Sequence, residues 1–121
     1  MNTPLAIAAI AEAATGAALI VAPSMVARLL LGADLTGVGV AVGRVAGISL
    51  VALGVACWPG AEAVRGKLCG MSTYGLLVTL YLVYLGLCTE WSGPLLWPAI
   101  LVHAVLTSLL IRALFALHHR E

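Results

Sequence analysis

Four apolar stretches, at roughly 4–22, 37–58, 70–88 and 94–117, take up most of this chain, and each is long enough to cross a bilayer. A hydrocarbon core of about 30 Å needs ~20 residues of helix. Backbone groups in lipid must satisfy one another within the segment, so stretches of this kind are expected to be helices. The strands of a membrane barrel would alternate apolar and polar residues, and no such alternation runs through them. The expected fold is all-α, an integral-membrane antiparallel four-helix bundle forming a single domain over 1–121. Composition points the same way. The chain is 63% hydrophobic and 9% charged, where soluble domains carry about 25% charged residues. That leaves too little polar surface to clothe a soluble globule, so the apolar excess must face lipid.

Composition also excludes several classes. A net charge of +1 gives no basic face for nucleic acid. Cys57, Cys69 and Cys88 show neither CxxC nor metal spacing, and they read as small apolar fillers. No basic region precedes the first stretch, which therefore reads as a span and not as a cleaved leader. No nucleophile–base motif, phosphate loop or metal constellation is present, so a free-standing enzyme is not expected.

Loop charges predict the orientation. Arg65 and Lys67 follow the second span, and Arg112 and Arg120 lie at the end of the last, whereas the other two connections carry Arg28 against Asp34 and Glu90. This bias places both termini in the cytoplasm of a bacterial-type inner membrane, with Trp58 at the cytoplasmic interface and Trp91 and Trp97 at the outer one. Between the first two spans, 23–32 reads as a short helix lying at the outer interface. Ser24 can cap its start and Gly32 can end it. Met25, Val26, Leu29 and Leu30 then share a face while Arg28 reaches water.

Small residues suggest how the spans pack. Gly39, Gly43 and Gly47 recur every four residues on the second span, and Ala9, Ala13 and Ala17 do so on the first. Ridges of this kind let helix backbones approach closely in lipid, so these two helices are expected to pack on each other.

Against this background, Glu12, Arg44, Tyr81 and His103 stand out, one on each span. Rise per residue puts Glu12 ~12 Å in from one side and Arg44 ~10 Å in from the other. Tyr81 and His103 fall in the same middle third, and Thr107 lies one turn beyond His103 on its face. An ionisable side chain inside a membrane marks a functional site by default. The expectation is an ion pair of Glu12 with Arg44. Around it, a midplane pocket would use Arg44 as the anchor and Tyr81, His103 and Thr107 as hydrogen-bonding lining. Such a pocket suits a guest with one polar head, such as a quinone or a lipid. A purely architectural ion pair is the alternative.

The segments Gly43-Arg44-Val45-Ala46-Gly47, Ala52-Leu53-Gly54-Val55-Ala56-Cys57-Trp58-Pro59 and Leu95-Leu96-Trp97-Pro98 resemble those of four-span bacterial membrane proteins with no assigned activity. In span number and size the chain is more distantly similar to the DoxX-like superfamily. Some members of that superfamily are small subunits of quinone-linked oxidoreductases. The resemblance implies an accessory or ligand-holding subunit of a membrane assembly, in contact with lipids and with further copies or partner chains. Ala11-Glu12 followed by Gly16 is also similar to the first span of small multidrug resistance transporters, which implies a proton-coupled transporter with Glu12 as its ionisable site. The chain departs from that pattern in the third span, and an Arg44 paired with Glu12 would neutralise it.

Overall fold

The computed structural model describes residues 2–119, and every regular element in it is a helix: α1 (Thr3–Val21), α2 (Pro23–Leu31), α3 (Val38–Ala56), α4 (Val64–Cys88) and α5 (Leu96–His118). Four of these, α1, α3, α4 and α5, are long and apolar enough to cross a membrane. Arg120, one of the charges that predict the orientation, lies outside the described residues.

Local chemistry sets the ends of the helices. The Asn2 side chain accepts a hydrogen bond from the Leu5 amide at 3.3 Å, and Pro4 sits in the first turn of α1, where its missing N–H costs nothing. Pro23 separates α1 from α2 and opens the second helix. Gly32 closes α2 with φ 74°, a left-handed backbone that glycine adopts without a Cβ penalty. The short helix expected at 23–32 is therefore present. Its cap differs, because Ala22 occupies that position and the Ser24 hydroxyl donates instead to the Leu35 carbonyl at 2.9 Å. That bond folds the 32–37 connection back over the start of α2.

The boundary that departs furthest from expectation is the start of α4, at Val64 and not near position 70. By charge alone, Arg65 and Lys67 belong to a loop. A helix can continue past its apolar length when its charges find polar partners, and Lys67 Nζ donates to the Trp58 carbonyl at 2.9 Å.

α1 and α3 run antiparallel with their backbones nearly touching. A Cβ on Gly16 would lie 2.5 Å from the Gly47 carbonyl oxygen, and one on Gly54 would lie 2.6 Å from that of Ala9. Gly43 meets Pro23 and Leu35, while Gly39 meets only the Leu35 side chain. The contact ridge is thus Gly47 and Gly54 against Ala9, Ala13 and Gly16, while Gly43 faces Pro23 and the 32–37 connection. Gly39 is peripheral and Ala17 is exposed, so each expected ridge is displaced toward the chain-terminal end of the pair. α4 and α5 form a second antiparallel pair, with Gly75 against Thr107 and Gly86 against Leu96 and Trp97.

α1 joins the two pairs, packing on α3 on one side and on α4 and α5 on the other, while α3 is the least covered of the four long helices. The apolar core lies at the end nearer the chain termini, where Leu5, Ala8, Ala9, Cys57, Leu68, Met71 and Leu110 meet. Cys57 is a buried filler there, as expected, but Cys69 and Cys88 have exposed side chains on α4. At the opposite end the 89–95 connection is fixed onto α2. Gly93 N donates to the Leu30 carbonyl at 2.9 Å and Leu95 N to that of Leu29 at 2.8 Å, which satisfies two carbonyls that the end of α2 would leave unpaired.

Candidate functional site

Glu12 projects from α1 into the seam with α4 and α5 and is 4% exposed. The Tyr74 hydroxyl, from α4, donates to Glu12 Oε2 at 3.1 Å. His103, from α5, places Nδ1 3.7 Å from Glu12 Oε1. The Tyr74 and His103 rings meet edge to face with centroids 6.4 Å apart. Three helices therefore each supply one acid–base side chain to one point. Thr107, one turn beyond His103, is buried against Gly75 and lines the same seam.

Glu12 and His103 divide two spaces. The inner one, bounded also by Tyr74, Met71 and Thr107, has a volume of about 10 Å³. That is the lower limit for a single water, so no organic guest fits inside. On the other side, an open groove of about 250 Å³ runs between α1 and α5. Its walls are largely apolar (Ala11, Leu95, Pro98, Ala99 and Val102), with Thr15 on one flank and Glu12 and His103 in its lining.

Two expected members are elsewhere. Arg44 makes no ion pair with Glu12 among the described residues. Its side chain is exposed, and its Nε donates to the Ile20 carbonyl at 3.3 Å. The antiparallel register explains the separation. With Gly47 on Gly16, Arg44 falls level with Ile20, and Ile20 is about 12 Å along α1 from Glu12 by helical rise. Glu12 also points away from the α3 face of α1, toward α4 and α5. Equal depth estimated from span ends does not survive the true register.

Tyr81 is 61% exposed and stacks on Tyr84, with centroids 6.2 Å apart. The tyrosine of the site is Tyr74, two turns earlier on the same face of α4. A helix beginning near position 70 would put Tyr74 at the interface. With the helix starting at Val64, it lies ~15 Å in, at the depth of Glu12. A seven-residue step back from Tyr81 was the available signal. A second polar group missed by the sequence reading is Ser72, whose hydroxyl is buried with no hydrogen-bond partner among the described residues.

No group of three or more His, Cys, Asp or Glu gathers among the described residues. Comparison with protein-family models, curated proteins and solved structures finds no match, so the resemblances above rest only on the residues quoted for them.

Proposed function

We propose that this chain is a four-span membrane protein whose Glu12–Tyr74–His103 site holds the polar head of a membrane-dissolved, quinone-like guest. In this reading it serves as a small subunit of a larger membrane assembly. One observation carries the reading: the groove between α1 and α5 is apolar along its walls and presents a carboxyl and an imidazole in its lining. A guest with a hydrophobic tail can reach that lining sideways from the lipid. Glu12 and His103 can then accept or donate hydrogen bonds to a carbonyl or hydroxyl of its head. Tyr74 steadies the carboxyl from the far side and keeps its second oxygen turned toward His103. Both termini would face the cytoplasm of a bacterial-type inner membrane, with α2 lying along the outer interface. Arg65 and Lys67, in the first turn of α4, support that orientation.

A second reading gains from the position of Arg44. With the arginine bonded to Ile20, Glu12 is not neutralised by it. That removes one departure from a proton-coupled transporter with Glu12 as its carrier.

Purified protein titrated with a short-chain ubiquinone analogue separates the readings. Guest holding predicts saturable binding that Ala99→Phe, which fills the groove, abolishes and that His103→Ala weakens at least tenfold. Binding unaffected by either change refutes it. Proton uptake by reconstituted vesicles, driven by an exported cation and lost in Glu12→Gln, would establish the transporter instead.

A further inference from the structure

Arg44 is the charge that the site does not use. It stands on the exposed flank of α3, where Ile48, one turn on, and Val55, two turns beyond that, are exposed apolar residues of the same face. Its guanidinium carries five N–H donors in a planar fork matched to phosphate or carboxylate. Within the described residues, one long bond from Nε to the Ile20 carbonyl is its only hydrogen bond. A cation within a spanning helix needs an anion or a route to the interface. Arg44 lies six residues after Val38, so ~9 Å from the start of α3. Ile20 is the residue before the last of α1, so the side chain already leans toward that same end of the bundle. From there an arginine stem spans most of the remaining distance.

We infer that Arg44 binds the phosphate of a phospholipid whose acyl chain lies along the valine and isoleucine face of α3. This rests on the reading that α3 crosses the bilayer. Charge complementarity selects the occupant. A second copy of the chain would have to supply a carboxylate. Glu12 is buried with Tyr74 and His103, Asp34 is held by Arg28, and Glu62 lies at the opposite end. Glu90, in the 89–95 connection, is the remaining described carboxylate near that end. Phosphate stands at the required depth in every phospholipid.

The test follows the Arg44 Nε resonance of full-length protein in a non-ionic detergent, with the peak assigned by its loss in Arg44→Lys. The probes are a short-chain phosphatidylglycerol, the diacylglycerol with the same chains, and inorganic phosphate. The expected result is a saturable shift with the phospholipid alone. Native mass spectrometry should then show one retained phospholipid fewer in Arg44→Leu than in wild type. An equal shift with diacylglycerol or inorganic phosphate would overturn the assignment, as would unchanged lipid retention. So would a shift that depends on protein concentration and vanishes in Glu90→Gln, which would assign the anion to a second copy. Alkaline extraction of membranes keeps the two readings apart. Release of wild-type protein would sink the spanning reading, whereas retention without any lipid-induced shift would sink only the role of Arg44.

Discussion

Tyr74 donates its hydroxyl to Glu12 across the seam between α4 and α1, and this 3.1 Å bond is one of the few polar links between the two helix pairs. The two residues should therefore be coupled. Hydrogen bonds between membrane helices average about 0.6 kcal/mol and reach about 1.7 in double-mutant cycles. Tyr74→Phe is expected to cost ~1 kcal/mol in equilibrium unfolding from mixed micelles. Its cost in a Glu12→Gln background should be smaller, because the carboxyl acceptor is already gone. Strictly additive losses would show that the bond contributes nothing to joining the pairs.

The glycines on α3 should divide sharply. A Cβ on Gly47 would lie 2.6 Å from the Gly16 carbonyl oxygen, whereas one on Gly39 would meet a leucine side chain at an ordinary 3.5 Å. Gly47→Ala forces two backbones apart and is expected to cost about 1–3 kcal/mol, the usual range for overpacking. Gly39→Ala should be within about 0.5 kcal/mol of wild type. Thermal aggregation midpoints of the two variants in the same detergent check this. Equal midpoints would mean that α1 and α3 are not held as described.

Asp34 should titrate below the usual carboxylate range. Arg28 approaches it with a two-pronged contact, Nε and Nη2 each at 2.9 Å, and the hydrogen bonds hold its pKa down. Because the folded-state value is depressed, the contact contributes fully above the ordinary carboxylate pKa and is lost as pH falls through the lowered one. Both groups lie in solvent, so the effect should be local and weakened by salt. A carboxyl-carbon NMR titration should give a low midpoint for Asp34 that returns to the ordinary range in Arg28→Gln. A midpoint unmoved by that substitution would show that Arg28 is not what lowers it.

Cysteine labelling checks the proposed orientation. Ser92→Cys, in the exposed connection before α5, should react with an impermeant maleimide added to spheroplasts, and a cysteine at Glu62 should react only after lysis. The reverse pattern would invert the topology.

The parts of this molecule written in hydropathy are legible in the sequence. Four long helices, their order and the helix ended by Gly32 follow from apolar length and turn chemistry. Rotation and register are not legible. Small residues lie on several faces of α1 and α3, so the ridge actually used, through Gly16 and Gly54, cannot be told from its neighbours. Arg44 is misplaced by the register and Tyr81 by the unseen first turns of α4. Glu12, His103 and Thr107 line one seam, because their shared depth tolerates an error of a turn and helical spacing puts His103 and Thr107 on one face.

The order in which the chain is made gives the Glu12 contacts another consequence. Tyr74 follows Glu12 by 62 residues, so at ordinary translation speeds roughly 3 to 12 s pass before it is synthesised, and His103 comes later still. During that interval the Glu12 carboxyl of the first helix pair lacks the Tyr74 and His103 partners that meet it in the full chain. Nascent chains arrested before α4 should therefore be degraded faster than the same chains carrying Glu12→Leu, and equal lifetimes would refute this. The buried acid would then mark an unfinished molecule for quality control until the second pair arrives to cover it.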